Sequence, residues 1–375
     1  MMQPRILLAG LASLAVIVIA ACAGQATSPP AAAEADAGPG IDAGVSDAGG
    51  TDRDAGARGD AGAAAELLGF ADLPRTRATQ GLSATWYERT TRTLWALQDT
   101  EPSVLPIEVS ADLKGFTLKA PIPLTGRTEL AWDGEGLVVL GGDFIAVTNE
   151  TTPTIERFDG SGARKEVLTL PAHFAAQAAG NKGLESLALS PSGRFLFTAN
   201  EGALTTDGEL SSSTRGTTVR ILRRDLASGV DEERAYRSEP RGPGTGGEMG
   251  VSELAAISDT TLLVLERGYQ VGYGNTVRIF RVDLRGGEDV LATPALTAAT
   301  PVLEKTLVLD LATLPAGSAT SPQQQPSPLL DNYEALAIGP RLPDGRLVVF
   351  VTSDDNASAT QVPRILVLAL PLGGD

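Results

Sequence analysis

Short apolar segments, divided by turn residues and often ending in an acid, recur along the chain from residue 66 onward. The last copy holds an opening strand at 334–337, a Pro-Asp-Gly turn and an apolar strand at 347–352. The acidic residues Asp354 and Asp355 end that strand, and a closing strand follows at 364–370. This order predicts one antiparallel sheet unit. Repetition of such a unit every few tens of residues would change the fold prediction.

The unit does repeat, four times upstream of this copy. Its opening segments and the apolar strands after them are 81–85 and 94–99, 128–131 and 144–150, 183–188 and 194–201, and 251–255 and 262–266. The strand at 364–370 is apolar on both faces, which suits a sheet packed between two neighbouring sheets. We therefore predict an all-β fold, a β-propeller of five or six blades, because the long gap at 286–325 has room for a sixth.

The segment at 66–73 is also strand-like. We predict that it completes the last blade beside the strand at 364–370 and so closes the ring. Such closure leaves no unpaired strand edge. A chain of 375 residues has room for one domain of this kind plus appendages.

The first 21 residues have the pattern of a lipoprotein signal peptide. Arg5 precedes an apolar run at 6–20 that is short for a membrane span, and Ile-Ala-Ala-Cys at 19–22 resembles a lipobox. Cys22 is the only cysteine in the chain, so we predict that it is lipidated. The alternative is an ordinary cleaved signal with an incidental cysteine. Because Ala23 replaces the acid of an inner-membrane retention signal, we expect the outer membrane of a Gram-negative envelope.

Residues 22–64 combine the predicted lipidated cysteine with a repeated Asp-Ala-Gly sequence that has almost no large apolar side chain. This composition predicts a disordered tether, followed by a propeller domain at 65–375. The formal charge of −16 and the pI of about 4.6 argue against a nucleic-acid partner. We expect a monomer that contacts the membrane only through its anchor.

Acidic residues recur where the blades begin and where their second strands end. If the first strands line the central channel, Glu129 and its counterparts in later blades converge near one mouth, with Asp99 close by. Carboxylates that converge repel one another, so they hold protons or bind a cation, and Ca²⁺ prefers oxygen ligands. The candidate metal ligands are Glu185, Glu201, Glu253, Glu266, Glu334, Asp354 and Asp355.

Cationic residues lie beside these acids and could hold an anionic group. The candidates are Lys182, Arg267 and Arg364, of which Lys182 and Arg267 join Glu185 and Glu334 as candidate catalytic residues. Three roles stay open for the acids. They could join neighbouring blades through hydrogen bonds to backbone N–H groups, bind a metal ion, or act as acid/base catalysts. A Ser-His-Asp triad is disfavoured, because there is no Gly-x-Ser-x-Gly motif and it would depend on the single histidine, His173.

Four segments carry a family resemblance: NKGLESLALSPSGRFLFTANEG, the stretch from GVSELAAISD to RIFRVDL, KTLVLDL, and the closing DNYEALAIGPRLPDGRLVVFVTSDDNASATQ. They resemble the phytase-like family labelled "esterase-like activity of phytase" over about residues 81–370. The resemblance implies a propeller and calcium-dependent phosphate-ester chemistry. Family does not fix a reaction.

The chain departs from the family pattern at several of these positions. Where the family has Glu-Gly, this chain has Glu185-Ser186 and Glu334-Ala335; Thr128-Glu129 replaces an Asp-Pro-Glu-Gly opening, and Ala357 replaces an aromatic residue. Whether the protein is an enzyme therefore stays open. We expect a lipid-anchored, calcium-assisted phosphoesterase or esterase acting on a small anionic or ester substrate. A non-enzymatic binding or scaffolding propeller with structural calcium is the alternative, and a lactonase-type propeller is a third reading.

Overall fold

The computed structural model describes residues 64–128, 131–148 and 152–372. The predicted signal peptide, the lipidation of Cys22, most of the tether and Glu129 lie outside these residues and stay predictions. Among the described residues, no helix is both long and apolar enough to cross a membrane.

Five antiparallel sheets form the body of the protein. Blade one contains β2 (Leu82–Glu88), β3 (Thr93–Gln98), β4 (Ser103–Val109) and β5 (Phe116–Leu118), with β6 (Ile122–Pro123) also paired to β4. Blade two contains β7 (Gly134–Leu140), β8 (Asp143–Thr148), β9 (Thr154–Phe158) and β10 (Arg164–Leu168).

The other three blades have four strands each. Blade three contains β11 (Ala188–Leu189), β12 (Phe195–Ala199), β13 (Thr218–Asp225) and β14 (Asp231–Arg237). Blade four contains β15 (Thr245–Ala256), β16 (Thr261–Val271), β17 (Gly274–Asp283) and β18 (Lys305–Asp310). Blade five contains β19 (Tyr333–Arg341), β20 (Leu347–Ser353), β21 (Arg364–Leu370) and β1 (Glu66–Asp72). Helical turns connect some strands: α1 (Ala172–Ala176) and three short 3₁₀ turns at Arg77–Thr79, Leu284–Gly286 and Leu311–Thr313.

The all-β propeller prediction is confirmed, with five blades. The first strands of the blades contact one another in a closed ring, in the order β2, β7, β11, β15, β19 and back to β2. The long gap at 286–325 holds β18 and loops instead of a sixth blade. The predicted closure is also present, because β1 pairs with β21 from Glu66↔Ala369 to Asp72↔Arg364.

Apolar clusters fill the five seams between neighbouring blades. Strand β21 shows why its sequence is apolar on both faces: Ile365 and Val367 pack toward blade one, whereas Leu366 and Leu368 pack toward blade four. Each such fully buried side chain contributes about 1.5–3 kcal/mol. The seams therefore supply most of the stability, and the ends of the channel are left for polar residues.

Candidate functional site

Each blade begins with the same irregularity. In blade one the pairing passes from Leu82↔Gln98 to Ala84↔Leu97, so the first strand has one extra residue, a β-bulge. Blades two, four and five show the same shift, and blade three passes from Leu184↔Asn200 to Ala188↔Phe197. The residues at the bulge position are Ser83, Glu135, Glu185, Ser252 and Glu334.

A second position also repeats, at the end of the second strand of each blade. It lies opposite the bulge of the first strand. Three of its occupants donate their backbone N–H to the segment before the bulge: Asp99 to Gly81, Glu201 to Gly183 and Asp354 to Asn332. In blade four the corresponding residue is Arg267, which pairs with Gly250. Four blades thus bring three acids and one cation to one end of the ring of strands.

We call seven residues at this end the mouth group: Asp99, Lys182, Glu185, Glu201, Arg267, Glu334 and Asp354. Arg267 lies at its centre. Its Nη2 donates to Glu334 Oε1 at 2.6 Å and lies 3.8 Å from Glu201 Oε1. Burial lowers the pKa of Arg267, but the nearby carboxylates, first of all Glu334, outweigh this and raise it. The guanidinium therefore stays charged.

Lys182 is the second cation of the mouth group. Its Nζ lies 2.5 Å from Glu201 Oε2 and 2.9 Å from Glu248 Oε1. Burial lowers its pKa, and the two glutamates more than reverse that effect. The side chains of Lys182 and Arg267 keep 14% and 16% of their surface exposed, so neither cation is fully buried.

Two carboxyl groups of the mouth group, Asp99 and Asp354, have raised pKa values. Burial, followed by repulsion from Glu334, raises the pKa of Asp99 to about 6. Burial and the charges of Glu334 and Asp99 raise the pKa of Asp354 well above its usual range, and Asp354 is hydrogen-bonded to Glu334. We call Asp99, Glu334 and Asp354 the acidic cluster: the charge of Glu334 helps to keep protons on Asp99 and Asp354.

A glycine fixes the place of Asp99. Gly81 has φ of +63°, and a Cβ there would lie only 1.6 Å from Asp99 Oδ1. The Gly81 N–H donates to Asp355 Oδ1 at 3.3 Å, while Arg75 Nη1 donates to Asp355 Oδ2 at 3.1 Å. Both oxygens of Asp355 are thus used to tie the segment before β2 to blade five.

The structure places two other predicted ligands away from the mouth group. Glu253 Oε1 accepts the N–H groups of Leu187 and Leu254 at 3.0 and 2.9 Å, which joins blades three and four. Glu266 accepts from Tyr236 Oη at 2.5 Å and from Lys305 Nζ at 2.6 Å. Successive strand side chains point to opposite faces, so Glu266 faces the seam while its neighbour Arg267 faces the mouth.

Two further sequence candidates also have structural partners elsewhere. Arg364 donates to Asp72 and to the carbonyls of Pro328 and Thr320, so within the last blade it joins β21 to β1 and to the loop before β19. His173 Nε2 lies 2.7 Å from Glu233 Oε1 at the side of blade three. Neither is near enough to the mouth group to share its hydrogen bonds.

Sequence reasoning missed three residues at this end. Glu248 pairs with Lys182, and Asn332 Nδ2 donates to Glu334 Oε1 at 2.9 Å. Glu135 occupies the bulge of blade two, where Glu129 in the segment 128–131 had been expected. A signal for Glu135 was present, because Glu135-Gly136 has the Glu-Gly pair typical of the resembled family.

The carboxylates of the acidic cluster have the donor chemistry that Ca²⁺ prefers. One buried oxygen, Asp99 Oδ1, has no hydrogen-bond partner among the described residues. The donor set therefore fits a hard cation. Across the described part of the chain, however, no three Asp, Glu, His or Cys side chains already converge in a metal-binding arrangement.

The fold and the site define a five-bladed propeller with a charged mouth in which acids outnumber cations. Residues 77–357 match the profile of the phytase-like family, described as "esterase-like activity of phytase". The chain belongs to this family. A search of curated proteins gave no match.

Solved structures with similar folds share little sequence with the chain. An endo-arabinase from Bacteroides thetaiotaomicron is 12% identical, with 76% of this chain and 93% of that one covered and a TM-score of 0.43. The PQQ-bound aldose sugar dehydrogenase from Streptomyces coelicolor is 14% identical over 82% and 98% of the two chains, with a TM-score of 0.38. A luciferin-regenerating enzyme is 14% identical over 83% and 97%, with a TM-score of 0.35.

Proposed function

We propose that the protein is a hydrolase of phosphate or carboxylate esters and that the mouth group is its active site. The observation that carries this proposal is the position of Arg267, a charged guanidinium beside carboxyl groups of which two, Asp99 and Asp354, have raised pKa values. Cations and proton carriers at one partly exposed place are what ester hydrolysis requires. The membership in the phytase-like family supports the same reaction class.

Substrate binding would use the two cations. Arg267 Nε is buried and has no hydrogen-bond partner among the described residues, so its N–H is unused. Charge-assisted hydrogen bonds from Arg and Lys to a phosphate or carboxylate are the strong ones. Arg267 and Lys182 would hold the anionic group of the substrate and offset the charge that develops on its oxygens during the reaction.

Proton transfer would use the acidic cluster. Ionised Asp99 or Glu334 accepts a proton from a water molecule as its oxygen bonds to the phosphorus or the carbonyl carbon. Protonated Asp354 gives its proton to the ester oxygen as that bond breaks. Groups that titrate near neutral pH suit such steps, and burial holds the pKa of Asp99 at about 6.

Calcium remains part of the proposal. Asp99, Glu334 and Asp354 would hold the ion, which would supply positive charge for binding the anionic group. Binding would also relieve the repulsion that raises the pKa values of Asp99 and Asp354. A thermal melt of the full chain in Ca²⁺ against EDTA tests this directly, because a cation that binds the folded state raises the melting temperature.

The hydrolase proposal is tested with the purified full chain on phytate, p-nitrophenyl phosphate and p-nitrophenyl acetate, with Ca²⁺ and with EDTA. We expect turnover that Glu334→Gln and Asp354→Asn each reduce about 100-fold or more, as for the loss of a general acid or base. Glu166→Gln, on the exposed outer strand of blade two, is the matched control and should retain full activity. No turnover on any of the substrates would refute the proposal.

One observation favours a second candidate, a non-enzymatic binding or scaffolding propeller. Lys182 and Arg267 are already ion-paired with Glu201, Glu248 and Glu334. Such pairs could serve only to hold blades three, four and five together. In that case Glu185→Ala and Glu334→Ala would lower the melting temperature, and no ester substrate would be turned over by any form of the protein.

A further inference from the structure

A cavity of about 540 Å³ opens in the channel, away from the mouth group. Its lining comes from residues that follow the bulges on the innermost strands, among them Thr85, Trp86, Leu187, Leu254, Leu336 and Ile338. Because these strands all start at the mouth, the cavity lies further along the channel. Its volume is in the range of small-molecule binding sites, and most of its lining is apolar.

Thr85 Oγ1 in the lining, and Glu253 Oε2 on a residue that is hydrogen-bonded to the lining, both lack a hydrogen-bond partner among the described residues. Thr85 lines the cavity directly and is 3% exposed. Glu253 is 1% exposed, and its Oε1 is held by the backbone N–H groups of Leu187 and Leu254, both of which line the cavity. A buried polar atom without a partner is costly unless a ligand or water satisfies it.

The charge on Glu253 indicates which ligands the cavity accepts. Burial raises the pKa of Glu253 well above its usual range, and the two backbone N–H groups offset this only in part. This shift favours the protonated carboxyl group, which can donate as well as accept a hydrogen bond. A charged group among the leucines of the lining would lose its hydration without gaining an opposite charge there, because the charged lining residues are the exposed Arg89 and the partly buried Glu88.

We propose that this cavity binds an uncharged, mainly apolar small molecule with one hydroxyl or carbonyl group, which hydrogen-bonds to Thr85 and Glu253. The occupant is separate from the ester substrate proposed for the mouth group. Its apolar part contacts the leucines of the inner strands, and its polar group satisfies the two unpartnered atoms. The exposed residues Arg89 and Thr90 lie at the entrance.

The test uses the purified full chain and the uncharged fluorescent probe N-phenyl-1-naphthylamine. We expect a saturable rise in fluorescence that 1-octanol reverses at a concentration at least tenfold lower than octanoate at pH 8. Val139→Trp should abolish the signal, because Val139 lines the cavity and is only partly buried, so a larger side chain can project into it. Val167→Trp, at an exposed site on blade two, is the matched control.

The polar contacts are tested separately. Thr85→Val keeps the shape of the side chain, and Glu253→Gln keeps an acceptor for the two N–H groups. Each should weaken displacement by 1-octanol about fivefold, as for one lost hydrogen bond, without changing probe binding. If Val139→Trp fails to fold by circular dichroism, Ile338→Trp fills the same cavity from blade five.

Three results would overturn the proposal. One is an absence of saturable probe binding to the folded protein. Another is equal binding by the Val139→Trp and Val167→Trp proteins, or by Ile338→Trp where that variant is used. The third is equal displacement by octanoate and 1-octanol, which would identify a charged acyl chain as the occupant. Unchanged 1-octanol affinity in both polar variants would remove Thr85 and Glu253 from the site.

Discussion

Two arginines in neighbouring blades lie among carboxylates, but their surroundings differ. Arg220 in blade three is 1% exposed and makes five hydrogen bonds, to both oxygens of Asp207, to Glu233 and to the carbonyls of Val290 and Thr293. Arg267 in blade four is partly exposed and makes one short bond, to Glu334, while its Nε has no partner among the described residues.

This difference separates a structural ion cluster from a site that can bind something. The donors of Arg220 are all used, so that cluster can only hold β13, β14 and the loop after β17 together. Arg267 has an unused donor and more acids around it than one cation can neutralise. Unsatisfied polar groups and shifted pKa values are typical of functional sites. Substitution of either arginine tests whether the two clusters differ in this way.

The largest expected effect comes from Arg220→Ala. The change would leave Asp207 without a cationic partner and Glu233 with only His173 beside it, and both side chains are without solvent exposure. Breaking a buried pair in this way costs about 3–5 kcal/mol. Urea unfolding would measure the loss. Arg194→Ala removes a surface pair with Asp225 and should leave the unfolding midpoint unchanged; equal losses in the two variants would contradict the assignment.

A smaller stability effect is expected from Arg267→Met, with a larger effect on function. Loss of this partly exposed cation should cost about 2 kcal/mol at pH 8, less than the loss of a fully buried one. Loss of the cation favours the protonated forms of the carboxyl groups around it. The stability deficit should therefore shrink as pH falls and these groups bind protons.

Any ester turnover should fall about 100-fold in the same variant, as on removal of a charge-stabilising donor. Melting curves at several pH values and the p-nitrophenyl assays would measure both effects. A deficit in stability that does not change with pH would show that the carboxylates are not coupled to Arg267.

The fold was predictable because its signals are local and repeated. Apolar strands of limited length, turn residues between them and two apolar faces at 364–370 suffice to predict stacked sheets. The number of blades was not predictable, because a loop-rich gap such as 286–325 has the same composition whether or not it hides strands. The first strand of blade two was also misplaced, at 128–131 instead of Gly134–Leu140.

The site was predictable in composition more than in geometry. Acids at the strand ends indicated a charged mouth, and Glu185, Glu201, Arg267 and Glu334 do meet there. Glu253 and Glu266 were assigned to the same mouth, but the bulge before Glu253 turns its side chain to the other face of β15, and Glu266 precedes Arg267 on β16 and so faces the seam. The extra residue between Val251 and Glu253 leaves no mark in the sequence that distinguishes it from regular pairing.

The pH dependence of stability tests the acidic cluster. The pKa of Asp99 rises from 3.8 to about 6 on folding, so the folded protein binds more protons between these values. Stability should therefore decrease as pH rises from 4 to 6, by an amount on the order of 2 kcal/mol from this residue. Asp99→Asn should flatten the curve in this window. An unchanged slope in Asp99→Asn, with Glu166→Gln as control, would place the titration elsewhere.

The smallest effect concerns backbone strain beside the mouth group. Asn356 and Ala357, directly after Asp354 and Asp355, have φ of 45° and 52°, a region that costs non-glycine residues about 1–2 kcal/mol. Ala357→Gly removes this cost but adds freedom to the unfolded chain, so we expect a net gain of about 0.5 kcal/mol. Ala227→Gly, at an exposed position without positive φ, should instead lose stability.

Backbone strain of this kind matters for function only if it positions a residue of the mouth group. The loop places Asp354 through its Oδ1, which accepts the N–H of Asn356 at 2.7 Å. If Ala357→Gly gains stability and loses turnover, the strained turn holds Asp354 in its hydrogen-bonded position next to Glu334. If it gains stability at full activity, the strain is incidental and only Gly81 and the bulges position the acids. A loss of stability equal to that of Ala227→Gly would show that Ala357 is not strained.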